Sequence, residues 1–277
     1  MFETLKNVFR VKEMRRKLLY LIWMIFVIRI GCQIPVPGVD SDFFKQWFSS
    51  NAGDAFNFFD AFTGGSFERM SIFALNITPY ITSSIIIQLL TIAIPALEEM
   101  QRDGEEGRKK MTAITRYVTV GLALFESIAM AIGFGRQGMI PNLDFFKGVV
   151  VVACLTAGSA MLMWLGERIT EKGVGNGISI VLTINIISRM PSDLSLLYEN
   201  FIKGKTIAKG TLAGLIIAAV ILLVVVLVLI LNGAERRIPV QYSRKMVGRK
   251  MMGGQSTNIP LKVNTAGVIP VIFASSI

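Results

Sequence analysis

Apolar residues in this chain come in long blocks with short polar breaks between them. Blocks cover residues 18–34, 117–134, 148–165, 178–187 and 211–231, and a further one, 60–99, is interrupted in its middle. Several approach or exceed the roughly 20 residues that a helix needs to cross a bilayer. The pattern predicts an all-α, polytopic transmembrane bundle with six complete spans and a seventh beginning at residues 266–277.

The interrupted block reads DAFTGGSFERMSIFALNITPYITSSIIIQLLTIAIPALEE. Gly64 and Gly65 supply a hinge, because glycine adopts backbone angles closed to other residues. Residues 66–75 read as a short half-helix, broken at Asn76, Ile77, Thr78 and Pro79. Thr78 is the expected N-cap of a second half-helix over 80–94, with Pro79 in its first turn and Pro95 ending it. Broken helices at membrane depth are tolerated where they are buried in protein or line a cavity. The kink is therefore either structural or part of a site.

The remaining segments are polar. Residues 1–17 carry six basic residues, with Phe2, Leu5, Val8 and Phe9 at helical spacing, and predict an interfacial amphipathic helix. Arg29 lies near the far end of the first span, from where it can snorkel to the interface. Residues 35–59 are too polar to span, and 98–110 read as a charged solvated loop. Glu126 sits inside the third span and should face protein or water. Gly133, Gly135 and Gly138 are expected to turn the chain out of that span. The glycines of GERITEKGVGNGISI, residues 166–180, follow no strand and precede no Lys-Ser/Thr, so a tight turn accounts for them better than a phosphate loop. Thr183 and Asn185 interrupt a short fifth span. Residues 232–265 form a basic loop in which alternation from Arg236 to Val247 is compatible with a hairpin.

Composition agrees with the pattern: 52% of residues are hydrophobic, 17% are charged and the mean hydropathy is +0.57. Histidine is absent, which excludes His-based metal sites and triads. Cys32 and Cys154 lie in apolar blocks as packing residues rather than a disulfide. The net charge of +10 implies anionic lipid or acidic partners. Of the 29 Lys and Arg residues, 20 fall on the side of the N-terminus and the 232–265 loop, and 8 on the other. The positive-inside rule then places the N-terminus in the cytoplasm and the 60–69 turn outside.

The spans hold no carboxylate pair, Ser/Lys dyad or metal-ligand cluster, so an enzyme is not expected. A secondary transporter with broken helices is the main alternative, but polar chemistry for a solute is scarce at the midplane. A purely structural or assembly protein is the third. Ile81 and Ile85, one turn apart, instead make an apolar lining of the kind that gates by dewetting.

The strings QIPVPGV, SIFALNITPYITSSIIIQLL, ITEKGVGNGISI, ERRIPVQY and QSTNIPLKVNTAGVIPVIFASSI resemble the SecY family of protein-conducting channels, in a form similar to those of Gram-positive bacteria. The resemblance implies the N-terminal half of a ten-helix channel built from two inverted five-helix halves. Such a channel passes unfolded chains across the plasma membrane and releases apolar segments sideways into lipid. It implies a plug at about residues 60–72, including Gly64, Gly65, Ser66, Phe67, Glu68, Arg69 and Met70. It also implies a pore ring of Ile81, Ile85, Leu182 and Ile272, and a lateral gate that includes Thr82, Ser83 and Gln88. A docking loop for the SecA motor ATPase or the ribosome would use Arg236, Arg237, Arg244, Lys245, Arg249 and Lys250. Further expected partners are SecE, SecG, a preprotein or signal peptide, and the channel's missing C-terminal half. No cofactor is expected.

Overall fold

The computed structural model describes residues 11–41, 43–44, 46–47, 60–138, 140, 144–203, 207–240, 245–247, 250–252, 257–265 and 267. Residues 1–10 of the amphipathic helix expected over 1–17 lie outside them, as does nearly all of the start of a seventh span, whereas residues 12–17 are continuous with the first span in one helix. The helices are α1 (Lys12–Gly31), α2 (Thr78–Ala93), α3 (Pro95–Arg102), α4 (Gly104–Arg136), α5 (Phe145–Lys172), α6 (Gly177–Phe201) and α7 (Ile207–Gly233). Among the described residues, four helices are long and apolar enough to cross a membrane: α4, α5, α6 and the Lys209–Gly233 part of α7. A fifth is counted if α2 and α3, bent by 104°, form one broken span. α1 has 20 residues, but Arg15, Arg16, Lys17 and Arg29 lie within it.

Several helices are longer than the apolar pattern predicts. The charged stretch 98–110 is not a loop. Pro95 opens α3, in which Glu98 and Arg102 pair at 2.6 Å, and α4 begins at Gly104 with Glu105 and Glu106 in its first turn. Carboxylates there are favoured by the helix dipole. Gly133 and Gly135 stay inside α4, and only Gly138, at φ 79°, makes the exit turn. α6 runs 25 residues through Thr183 and Asn185, so those residues do not interrupt it. Thr183 returns its hydroxyl to the carbonyl of Ser179 at 2.8 Å, and Asn185 faces inward.

The chain forms two compact units, one through Ser192 and one from Asp193 onward. In the first, α4 packs against α5 and α2, and α1 against α5. Polar and small residues line the contacts. Thr115, Thr119, Ala123, Ser127 and Ala131 recur every fourth residue of α4, and all are buried. The Ser83 and Thr119 hydroxyls meet at 2.6 Å across α2 and α4, and Thr156 of α5 donates to Ser127 at 3.1 Å. Large apolar side chains such as Phe125, Phe145 and Phe146 are exposed. Polar inside and apolar outside is the order expected in lipid, where close packing and interhelical hydrogen bonds drive association. Cys32 is buried and Cys154 half-buried, and both are free, as packing residues should be.

The glycine turn between α5 and α6 is the tight turn expected. Asn176 caps α6 by accepting from the Ile178 and Ser179 amides at 3.1 and 3.4 Å, while Thr170 accepts from the Gly177 amide at 2.9 Å. A side chain at Gly177 would overlap the Gly166 carbonyl.

In the second unit most apolar side chains of α7 from Leu212 to Leu231 are exposed. After it, β1 (Glu235–Val240) pairs antiparallel with β4 (Thr257–Lys262), and β2 (Lys245–Val247) with β3 (Lys250–Met252). The expected hairpin from Arg236 to Val247 is therefore replaced by a longer ribbon in which β1 takes its partner from beyond the inner hairpin.

Candidate functional site

Residues 60–77 form the centre of the first unit. The half-helix expected over 66–75 is absent. After one helical turn at residues 60–63 the chain runs as consecutive tight turns to Ile77. The Met70 amide bonds the Phe67 carbonyl, Ala74 bonds Ser71 and Asn76 bonds Phe73, each at 2.9 Å. Four residues with positive φ break the helix: Gly64 (67°), Gly65 (80°), Met70 (46°) and Asn76 (53°). The expected hinge at the two glycines is thus present. The residue before α2 is Ile77, which gives no side-chain cap, so Thr78 is not the N-cap but the first helical residue. Pro79 occupies the first turn as expected.

Apolar packing holds this segment on two sides. Phe67, Met70, Ala74 and Leu75 join a cluster with Val36, Phe44, Phe134, Val151 and Leu155. Within it the rings of Phe44 and Phe134 meet edge-on at 5.0 Å, and Phe67 approaches Phe44 edge-on at 5.9 Å. Phe73 and Ile77 join a second cluster with Ile28, Cys32, Leu162, Leu165, Ile169 and Val181. Backbone bonds from the Val36 amide to Met70 O and from the Ile72 amide to Ile34 O, both 3.0 Å, tie it to the end of α1. Side chains at Gly31 and Gly158 would overlap Phe73 and the Ile72 carbonyl, so both glycines permit the close approach.

Polar bonds then fix the register. Asp60 is fully buried, and its Oδ1 accepts from the Glu68 amide at 2.9 Å and the Thr63 hydroxyl at 3.1 Å. Its Oδ2 forms an ion pair with Arg189 of α6. Asn76 Nδ2 donates to Phe62 O at 2.8 Å, and its Oδ1 accepts from Asn185 Nδ2 at 3.0 Å. Arg29 reaches Asn185 Oδ1 at 3.2 Å, so it turns into the bundle instead of snorkelling. Ser159 donates to Asn76 O at 3.3 Å, and the Arg69 guanidinium bonds Gln33. A buried large apolar side chain is worth about 1.5–3 kcal/mol and a net hydrogen bond about 1 kcal/mol. Packing therefore supplies most of the affinity of the seat, and the polar bonds choose its position.

The pore-ring residues are placed less completely. Ile81 is half-buried and packs on the cluster containing Ile77 and Val181, while Ile85 and Leu182 are half-buried. Ile272 lies outside the described residues. Among the lateral-gate residues Thr82 is half-buried and Gln88 exposed. Ser83 is buried in the α2–α4 contact, bonding Thr115 O and Thr119.

In the docking loop Arg236 and Arg237 are exposed on β1, Lys245 lies in β2 and Lys250 in β3, and Arg244 and Arg249 are outside the described residues. Neighbours on a strand point to opposite faces. Arg236 therefore shares a face with Ile238, Ile259 and Leu261, whereas Arg237 shares one with Glu235 and Lys262.

Sequence reasoning placed Asp60 at the start of the expected plug and read Asn76 and Asn185 only as helix interruptions, and it gave none of them, nor Arg189, a bonding role. The Asp60–x–x–Thr63 spacing is the one local signal of the turn at Asp60.

The family model described as SecY matches residues 71–277. The Protein translocase subunit SecY of Halalkalibacterium halodurans is 45% identical over 100% of this chain and 65% of its own length. That of Streptomyces galbus is 43% identical over 100% of the chain and 65% of its own, and that of Escherichia coli (strain K12) 43% over 96% and 60%. The chain thus spans 65% of the length of the first two relatives. Among solved structures, "The structure of a protein conducting channel" aligns with TM-score 0.61 at 20% identity, covering 95% of this chain and 56% of that one. "Sec61 in the Canine ribosome-channel complex from the endoplasmic reticulum" aligns at 0.59 and 19%, covering 95% and 56%. At that identity the likeness shows the fold alone.

Proposed function

Because the chain belongs to the SecY family, we propose that it forms the pore of a protein-conducting channel as the N-terminal part of the channel subunit. The channel passes unfolded polypeptide across the plasma membrane and releases apolar segments into lipid, and the chain is not an enzyme. The plug, expected at about residues 60–72, extends in this reading through the turns to Ile77, and Ile81, Ile85, Leu182 and Ile272 form the apolar ring. The N-terminus and the ribbon after α7 face the cytoplasm, where SecA or the ribosome docks. SecE, SecG and the C-terminal half complete the assembly, and the basic segments meet anionic lipid.

The observation that carries this reading is the 60–77 segment itself. It is largely buried, yet helix hydrogen bonds do not hold residues 64–77 in place; contacts with neighbouring elements do. A piece held this way can leave as a unit without unwinding a helix. The transporter alternative is not favoured, since the curated relatives are translocase subunits.

The test is resting conductance of the assembled channel in planar bilayers. Ile81→Asp or Ile85→Asp places a charge in a dry apolar site, which costs several kcal/mol unless water enters. Resting ion conductance should rise. Unchanged conductance in both variants contradicts the reading.

A further inference from the structure

Both ends of the 60–77 segment are tied to the same helix, one turn apart. Asp60 pairs with Arg189, and Asn76 bonds Asn185 at 3.0 Å. Residues four apart on a helix lie on one face. We propose that Asn185 and Arg189 of α6 form a two-point latch that releases both ends of the plug together, so that plug displacement is coupled to movement of α6. The latch rests on reading the segment as a plug.

The bonding on the plug side supports a joint release. Asp60 is bonded to the Glu68 amide as well as to Arg189, and Asn76 to the Phe62 carbonyl as well as to Asn185. These internal ties close residues 60–76 into one loop, which stays intact when the α6 contacts break. Both anchors therefore move as one body against α6. Gly64 tightens the fit, since a Cβ there would come within 2.7 Å of Asn185 O. Arg29 holds Asn185 from the other side at 3.2 Å, so the amide's orientation is set before the plug seats.

The energetics make the latch two-state. Asp60, Asn76 and Asn185 are almost completely buried, and the Arg189 side chain is 18% exposed. Seated, each group has its partner; displaced into water, each is solvated. Half-released, a buried charge or amide would lack both, the costly case for groups in a dry site. One broken anchor thus favours breaking the other.

The assembled channel in sealed vesicles tests this. Cys32 and Cys154 are replaced by alanine, Glu68→Cys is the reporter, and a membrane-impermeant maleimide is added on the plug side. Arg189→Gln and Asn185→Leu should each raise the labelling rate roughly tenfold or more, the order of effect of breaking a buried pair. Arg189→Lys should retain most of the protection. The double variant Arg189→Gln/Asn185→Leu should label little faster than the stronger single. Parent-like rates in both singles overturn the latch, and so does a double whose rate is the product of two independent effects. Loss of protection in Arg189→Lys as large as in Arg189→Gln, with an unchanged melting temperature, also overturns the ion pair as an anchor. The channel reading is judged separately: if the Ile81 variant conducts while latch variants label like the parent, only the latch fails. If labelling follows the latch but no variant conducts, only the channel reading fails.

Discussion

The helical bundle and the ribbon that follows α7 use the same side chains in opposite ways. In the bundle Arg29, Arg69, Arg116 and Arg189 each engage a named partner: Asn185, Gln33, Glu167 and Asp60. In the ribbon Arg236 and Arg237 stand exposed beside exposed Ile238, Ile259 and Leu261. The bundle hides polarity and shows apolar surface, which suits lipid outside and a shaped interior. The ribbon shows both, which suits a surface that meets water and a partner. Substitutions inside the bundle should therefore cost stability, and those on the ribbon should cost binding.

The largest expected effect is at Gly158. Any side chain there overlaps the Ile72 backbone, where the 60–77 segment meets α5. Gly158→Val should destabilise the bundle by about 1–3 kcal/mol, the usual cost of overpacking. Thermal unfolding in detergent checks it, and a parent-like melting temperature would mean that residues 60–77 are not seated against α5.

Next comes the α2–α4 contact. Thr119→Val removes the hydroxyl that meets Ser83 at 2.6 Å, while Ser83 keeps the Tyr80 and Thr115 carbonyls as acceptors. It should cost about 0.5–1.5 kcal/mol, the net worth of one hydrogen bond. Ser83→Ala with Thr119→Val, which removes both groups, should cost less than the sum of the singles in a double-mutant cycle.

The ribbon should respond differently. Arg236→Glu and Arg237→Glu should each leave stability within about 0.5 kcal/mol of the parent. Binding of ribosomes or SecA should separate them, because the two side chains point to opposite faces. Reversal on the docking face should weaken binding and flatten its salt dependence, while reversal on the other should not. Equal effects would mean that the ribbon's two faces do not distinguish partners. The smallest effect should be Arg116→Ala. Its pair with Glu167 at 2.8 Å is half-exposed, and such pairs are worth about 0–1 kcal/mol.

The existence of the spans was legible in the apolar blocks, and the break before α2 was legible from Gly64, Gly65 and Pro79. Helix lengths were not. Charged residues from Glu98 to Lys110 look like a loop to a hydropathy reading, yet they are good helix formers with a favourable first turn at Glu105 and Glu106. Asn185 looked like an interruption because its partner, Asn76, is 109 residues away. Arg189 counted only as a loop charge for the same reason. The turns at 64–77 were hidden because Met70 and Asn76 take positive φ, which an apolar patch does not announce. The split of Arg236 and Arg237 between faces needed the strand register, which sets side-chain direction residue by residue.

In the proposed function, residues 60–77 are a seated piece that polypeptide displaces. Phe67 is 4% exposed in the seat, in the aromatic cluster with Phe44 and Phe134. Phe67→Cys in the assembled channel, with Cys32 and Cys154 replaced by alanine, should be protected from an impermeant maleimide at rest. With a polypeptide arrested in the channel, its labelling should rise roughly tenfold or more, since burial no longer shields the thiol. Labelling that is the same with and without the arrested chain would contradict the account.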